Sequence, residues 1–294
     1  MDGFLNIVKP PGMSSHDVVA FIRRRTKAKV GHTGTLDPAA AGVLVLALGK
    51  ATKFVSFVSD AKKSYRAEVT LGISTDTLDA DGQVTHRQPV PSLAPEDIKR
   101  VLAAFVGAQL QRPPMFSALH HQGKRLYQLA REGIEVDRPK RPITIYTLQP
   151  VSTGADRFLF DVDCSKGTYV RVLCSDIAKA LGTVGYMSFL IRTAVGPFCI
   201  ESAHTLEEVT AGDEADAQKH LLPLDYPLAG LPAVHLTQRD AERVRHGNTL
   251  RIAAAELPSE VDEVRLYNDK TFIALAKARR ENDEIFIQPR TVLL

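Results

Sequence analysis

Residues 29–49 read KVGHTGTLDPAAAGVLVLALG, a polar loop that leads directly into an unbroken apolar run at residues 43–48. A short apolar run that contains β-branched residues predicts a strand. The glycines of the loop allow its backbone to come close to neighbouring groups. The loop also carries several polar side chains, which are His32, Thr33, Thr35 and Asp37.

Asp37 admits two interpretations. An Asp followed by a proline is typical of a helix N-cap with proline in the first turn. However, only residues 39–41 separate Pro38 from Gly42 and the β-branched run, which leaves little helix to cap. A loop carboxylate between glycines is also a candidate nucleophile. The local sequence leaves both interpretations open.

Periodicity predicts further strands and helices. Apolar and polar residues alternate over 65–71 and 158–164, which predicts half-buried strands. Apolar residues recur at helical spacing over 98–105 and 170–181. Strands and helices do not alternate regularly, so we expect an α+β fold with a largely antiparallel sheet.

Local signals predict a helix start and a domain boundary. Ser14, with Asp17 three residues later, resembles a capping box at the start of a helix. Prolines and a glycine cluster within 223–232, and this cluster predicts a boundary between residues 1–229 and 230–294.

The 294 residues are 44% apolar and 24% charged, a composition that excludes collagen-like, disordered and coiled-coil proteins. The net charge of +3 identifies no partner by itself. It is unevenly distributed, because residues 99–141 hold nine bases and three acids while residues 201–225 hold one base and seven acids. Three cysteines cannot form a closed disulfide framework, which favours a reducing cytosol. No apolar run approaches the roughly 20 residues of a membrane span.

Signatures of metal and nucleotide sites fail on inspection. Six residues separate Gly42 from Gly49, whereas a phosphate-binding loop has four at this point. Asp79 and Asp81 resemble part of a calcium loop, but its first and twelfth ligands are missing. The sequence also lacks the usual zinc-binding pairs. We therefore expect no metal ion and no cofactor.

The segment GHTGTLDPAAAGVL, residues 31–44, resembles the catalytic motif of the bacterial tRNA pseudouridine synthases of the TruB type, which modify uridine 55 of the T loop. Other motifs occur in the order of that family, and they are KPPGMSS (9–15), KSYRAE (63–68), TDTLDADG (75–82), RPPMFSALHHQGKRLYQLAREG (112–133), KGTYVR (166–171) and LIR (190–192). The segment at 231–250 is similar to the family's PUA-type RNA-binding domain. The resemblance implies a catalytic domain with a mixed, largely antiparallel sheet flanked by helices, followed by a small β-rich domain.

The resemblance also implies roles for individual residues. Asp37 is the carboxylate that breaks the N-glycosidic bond of uridine and lets C1′ rejoin the base at C5. Arg171 pairs with Asp37, and we expect the adjacent guanidinium to lower the pKa of the carboxyl group. Tyr65 has a catalytic role, in which it stacks on the target base and serves in removing the proton from C5, although a tyrosine packed in the core is the alternative. The residues that line the uracil pocket or contact the RNA beside it are His32, Tyr169 and Leu190, and ordinary packing or loop hydrogen bonding is their alternative explanation.

In the family, the basic stretch belongs to an insert, here residues 109–141, that closes on RNA. Lys124, Arg125 and Arg131 are then candidates for phosphate contacts, with a solvated helix face as the alternative. We expect base flipping, since a stacked nucleotide does not expose C1′ and C5. The implied partner is the T stem-loop of tRNA, with no obligate protein partner, and the protein is expected to be a cytoplasmic monomer without a membrane segment. The alternative functions are a non-catalytic RNA-binding or tRNA-folding protein, or a pseudouridine synthase acting on another RNA.

Overall fold

The computed structural model describes residues 1–212, 214–253, 257–258, 260–281 and 284–293. In this part of the chain the strands are β1 (Gly3–Lys9), β2 (Val30–His32), β3 (Ala41–Leu48), β4 (Lys63–Leu71), β5 (Ile73–Thr75), β6 (Val84–Arg87), β7 (Gly107–Gln111), β8 (His120–His121), β9 (Lys124–Arg125), β10 (Arg141–Thr153), β11 (Arg157–Cys164), β12 (Gly185–Val195), β13 (Phe198–Cys199), β14 (Ala233–Leu236), β15 (Leu250–Ala253), β16 (Glu263–Asn268), β17 (Thr271–Glu281) and β18 (Glu284–Val292). The α-helices are α1 (Ser15–Thr26), α2 (Val55–Asp60), α3 (Pro95–Ala104), α4 (Leu126–Arg131), α5 (Val170–Ala180), α6 (Leu206–Thr210), α7 (Glu214–Lys219) and α8 (Gln238–Arg245). Short 3-10 helices occupy Gly49–Phe54, Ile200–Ser202 and Tyr226–Leu228.

The main sheet contains nine strands of the described chain, in the order β1-β3-β12-β4-β11-β10-β7, with β2 beside β3 and β13 beside β12. Strands β3 and β12 are parallel, and the other neighbours are antiparallel. The predicted α+β fold with a mixed, largely antiparallel sheet is confirmed.

Strand β3 is buried on both faces, which explains its continuous apolar sequence. Val43 and Val45 pack with Phe4 and Phe54 in one core cluster. Leu44, one residue along, packs on the opposite face with apolar residues of α1. Because side chains alternate between the faces of a strand, this run joins two layers of the core.

The capping box at the start of α1 is confirmed. Ser14 Oγ accepts a hydrogen bond from the Asp17 N–H at 3.1 Å, and the Asp17 carboxylate accepts one from the Ser14 N–H at 2.9 Å. The two strands predicted from alternation are β4 and β11, and the two predicted helices are α3 and α5. Both helices pack against the face of the sheet that includes Tyr65.

A second sheet lies in the C-terminal part of the chain, in the order β14-β16-β17-β18-β15. It contacts the main sheet through an apolar cluster in which the rings of Phe54 and Phe272 lie 5.8 Å apart. The predicted boundary between residues 229 and 230 lies in the segment that joins the two sheets, and the division into two domains stays a prediction.

The basic insert leaves and re-enters the main sheet at one point. Gln111, the last residue of β7, is paired with Arg141, the first residue of β10. Between them the chain forms the β8–β9 hairpin and helix α4. Within the described ranges, no helix combines the length and apolar character needed to span a membrane.

Candidate active site

A cavity of about 460 Å³ opens beside the loop that joins β2 to β3, and its other lining residues include parts of β4, β12, the start of α5 and residues 117–119 of the insert. Its volume lies within the usual range for small-molecule sites. The structure brings to this cavity the residues that the resemblance assigned to catalysis and base binding, which are His32, Asp37, Tyr65, Tyr169, Arg171 and Leu190.

Asp37 lies in a turn that precedes no helix. The Ala40 N–H donates to the Asp37 carbonyl oxygen at 3.1 Å, and strand β3 begins at the next residue. The N-cap interpretation of Asp37 is therefore wrong, because Gly42 and the β-branched run direct the chain into the sheet. The carboxylate projects from a loop, as the nucleophile interpretation requires.

The loop on both sides of Asp37 is held by side chains of the KPPGMSS motif, residues 9–15. Ser15 Oγ donates to the Leu36 carbonyl oxygen at 3.0 Å and accepts from the Leu36 N–H at 2.8 Å. Lys9 Nζ donates to the Pro38 carbonyl oxygen at 3.0 Å. These bonds fix the backbone on either side of the carboxylate. The sequence placed Ser15 and Lys9 in a family motif but assigned them no role.

Arg192 is a second support that the sequence did not identify. It is only 1% exposed, and its guanidinium donates to the carbonyl oxygens of Val43 at 2.7 Å and Gly34 at 3.0 Å. Its own backbone lies against Gly42, where an added Cβ would come within 2.2 Å of the Arg192 carbonyl oxygen. Gly42 also has a φ of 104°, so only glycine fits this contact between β3 and β12 without strain. The sequence signal that could have identified Arg192 was its position as the third residue of the LIR motif.

Asp37 and Arg171 form an ion pair, with 3.0 Å between Oδ2 and Nε. The other nitrogens of the guanidinium reach Asp79 Oδ2 at 3.5 Å and the carbonyl oxygens of Thr77 and Phe116 at 3.0 and 2.9 Å. The planar guanidinium of arginine can donate to several acceptors at once, and the ammonium group of a lysine would not reproduce this geometry. Asp79 was not predicted as a site residue, although it belongs to the TDTLDADG motif.

The pKa of Asp37 is raised above its ordinary value. Burial of the carboxyl group is the main cause, Arg171 opposes it, and the nearby Asp79 adds to it. Arg171 lowers the pKa of Asp37 as expected, but desolvation of the carboxylate outweighs the attraction of the guanidinium and sets the net direction. Asp37 therefore takes up a proton more readily than a solvated aspartate does.

Tyr65 fits both interpretations given to it, since it is 8% exposed, packs in the core and lines the cavity. Burial raises the pKa of its hydroxyl, and Arg192 opposes the shift. Burial and Arg192 lower the pKa of His32, which favours the neutral imidazole. Within the described chain, the His32 Nδ1 atom is buried and has no hydrogen-bond partner.

A second cavity of about 750 Å³ adjoins the first and shares Asp37 and Arg171 with it. Arg125 and Arg131 of the insert line this cavity. Lys124 does not line it, and its ammonium group lies 3.2 Å from a carboxylate oxygen of Glu132. The insert thus places two of its three predicted RNA-contacting bases in the cavity that the Asp37–Arg171 ion pair also lines. The described residues contain no group of three or more His, Cys, Asp and Glu side chains suited to a metal ion.

The chain is similar to known proteins over most of its length. The profile described as "TruB family pseudouridylate synthase (N terminal domain)" matches residues 23–170, and two C-terminal profiles of TruB proteins match residues 171–229 and 232–293. A protein of Alkaliphilus oremlandii named tRNA pseudouridine synthase B is 44% identical over 288 residues, covering 96% of this chain and 95% of the relative. A protein of the same name from Caldanaerobacter subterraneus subsp. tengcongensis is 46% identical over 284 residues, covering 96% of each.

Among solved structures, a chain in the crystal structure of a Cbf5–Nop10–Gar1 complex superposes with a TM-score of 0.75 at 28% identity, covering 99% of this chain and 85% of that one. The fold is thus that of the pseudouridylate synthases. Within that class, this chain belongs to the TruB family.

Proposed function

We propose that the chain is a tRNA pseudouridine synthase that isomerises uridine 55 of the T loop. The observation that carries the proposal is the Asp37–Arg171 ion pair, with its 3.0 Å contact, at a cavity lined by residues of the family motifs. The relatives named tRNA pseudouridine synthase B support tRNA as the substrate.

The reaction is balanced within the substrate. The N1–C1′ bond of uridine breaks, a C5–C1′ bond forms, C5 loses a proton and N1 gains one. No electron is gained or lost, so the conversion itself requires no redox partner. Access to C1′ and C5 requires the nucleotide to leave the stack, and the cavity beside Asp37 is where the flipped base would lie.

Asp37 acts in its carboxylate form. The 3.0 Å contact with Arg171 is made by Oδ2, and we assign the other oxygen, Oδ1, to contact with the ribose or the base. The supports at Leu36 and Pro38 hold the carboxylate before the substrate arrives. Such preorganisation lowers the barrier because little reorientation remains for the transition state.

The other cavity residues bind the flipped nucleotide. The Tyr65 ring stacks on the uracil, and the side chains of Tyr169 and Leu190 complete the apolar walls. A neutral His32 contacts the RNA beside the extruded nucleotide, where the unpaired Nδ1 finds its partner. Burial of polar atoms without partners is costly, so a partner supplied by the substrate favours binding.

The insert and the C-terminal sheet bind the rest of the RNA. Arg125 and Arg131 face the second cavity and contact phosphates near the flipped nucleotide, and Lys124 contributes from the adjacent hairpin. We assign residues 1–229 to the catalytic domain and 230–294 to a PUA-like RNA-binding domain. The protein acts in the cytoplasm as a monomer without an obligate protein partner.

The proposal is tested with purified protein and a tRNA transcript tritiated at C5 of uridine. Wild type should release tritium, and base-resolved mapping should place the modification at position 55. Asp37→Asn should abolish release while tRNA affinity stays within about threefold, because the amide keeps the shape but cannot act as a carboxylate. The matched control is Asp176→Asn, which replaces a half-buried aspartate of α5 that is paired with Lys179, and it should be fully active. Activity in Asp37→Asn, or modification only at another uridine, would refute the proposal.

A further inference from the structure

Gln111 lies where the insert leaves the main sheet. It is the last residue of β7, and its backbone is paired with Arg141, where the chain returns. Its side chain is directed inward, since the residue is only 6% exposed. A buried amide must find hydrogen-bond partners, and its partners show what this residue holds.

Both partners of the Gln111 amide belong to the backbone of Tyr169. Gln111 Nε2 donates to the Tyr169 carbonyl oxygen at 3.1 Å, and the Tyr169 N–H donates to Gln111 Oε1 at 2.7 Å. Tyr169 is the N-cap of α5, and its own side chain forms no capping hydrogen bond. The first turn of a helix leaves backbone N–H groups without helical partners. Here the Gln111 side chain, 58 residues earlier in the chain, forms hydrogen bonds with the peptide groups on both sides of the N-cap residue Tyr169.

This contact lies two residues before Arg171, on the same helix start. The insert also contacts Arg171 directly, because the Phe116 carbonyl oxygen accepts a hydrogen bond from its guanidinium at 2.9 Å. The base of the insert is therefore tied to Tyr169 through Gln111 and to Arg171 through Phe116. Any displacement of the helix start would move the guanidinium relative to Asp37.

We infer that Gln111 is a positioning residue for the catalytic site: its paired hydrogen bonds to Tyr169 fix the start of α5, and with it the Tyr169 ring and Arg171. The inference rests on the proposed function for its kinetic consequence. Gln111 contacts neither Asp37 nor the cavity, so it acts through the residues it holds. Misplacement of a catalytic group by about 1 Å can cost about 100-fold in rate.

The first test replaces Gln111 by leucine, which removes both hydrogen bonds at similar size. We expect kcat for tritium release to fall by about 10- to 100-fold while tRNA affinity changes by less than about threefold. The matched control is Gln88→Leu, since Gln88 also donates its amide to a backbone carbonyl, that of Gly182 beyond the opposite end of α5, at 3.0 Å. The control should keep kcat within about twofold. A Gln111→Leu protein that keeps wild-type kcat, or that loses affinity as much as kcat, would overturn the inference.

The second test is Gln111→Glu, which is nearly isosteric and remains informative if the leucine variant folds poorly. An ionised carboxylate at this position accepts from the Tyr169 N–H but repels the Tyr169 carbonyl oxygen, whereas a protonated carboxyl group donates to it as glutamine does. Burial against a carbonyl raises the pKa of such a carboxyl group. The ratio of variant to wild-type kcat should therefore rise as the pH falls from 8 to about 5.5, and a flat ratio would contradict the positioning role.

The structural part of the inference has a readout that needs no activity. Amide hydrogen exchange at residues 169–173 should speed up in Gln111→Leu but not in Gln88→Leu. Unchanged exchange would overturn the inference even if the rate fell. An inactive wild type would instead refute the proposed function, and the exchange experiment would still decide whether Gln111 fixes the helix start.

Discussion

Replacing Arg171 by glutamine should raise the pKa of Asp37 further. The substitution removes the positive charge next to Asp37 and leaves Asp79 and the partial burial of the carboxyl group, both of which raise that pKa. Opposite charges about 4 Å apart attract by about 4 kcal/mol at an effective dielectric constant of about 20. The Asp37 side chain is 40% exposed, so solvent screens the pair and we reduce the effect to about 1.4 to 2.7 kcal/mol. This corresponds to an increase of about 1 to 2 in the pKa of Asp37.

The sign of the effect on rate follows from the form of Asp37 that acts. Activity requires the carboxylate, so the rate falls as the pH drops through the pKa of Asp37. A higher pKa moves this acid limb to higher pH by about 1 to 2 in Arg171→Gln. The rate of the slow Arg171→Gln variant is measured as single-turnover tritium release with excess enzyme from pH 5 to 9. Circular dichroism at each pH checks that the variant is folded. An acid limb that stays in place or moves to lower pH would refute the electrostatic role assigned to Arg171.

Three further outcomes are expected. Gly42→Ala should lower the free energy of unfolding by about 2 to 6 kcal/mol in urea denaturation, because backbone strain adds to the clash with β12. Gly12 also has a positive φ, of 88°, but there is open space around its Cβ position. Gly12→Ala should therefore lower the free energy of unfolding by only about 1 to 3 kcal/mol. Burial lowers the pKa of Lys63 to about 8 in the folded protein. Between pH 8 and 10.5 the unfolded chain therefore binds the proton more tightly, and the free energy of unfolding should rise by on the order of 3 kcal/mol. Lys63→Met should flatten this rise in unfolding curves measured as a function of pH. Replacing Lys124, Arg125 and Arg131 together by glutamine should reduce the slope of log affinity against log salt by about one for each phosphate that these side chains neutralise, and an unchanged slope in filter binding would assign them to a solvated face.

The local elements were predictable because each is encoded within a short segment. The capping box of Ser14 and Asp17 marked the start of α1, and alternation over 65–71 identified β4. The family motifs identified Asp37 and Arg171, which lie together in the cavity. Sequence reasoning could not choose between N-cap and nucleophile for Asp37, because the choice depends on whether residues 39–41 continue as a helix or enter the sheet.

By itself, the sequence indicated the start of α1, strands β3, β4 and β11, helices α3 and α5, the α+β class and the family, and it named candidate site residues, because local patterns and motifs specify these features. Only the tertiary structure decided how the site is held. It brought Asp79 to Arg171, placed Arg192 under the loop and set Gln111 against Tyr169, across 58 residues of chain. It also decided the direction in which the pKa of Asp37 shifts from its ordinary value, since desolvation depends on everything packed around a group rather than on its neighbours in the sequence.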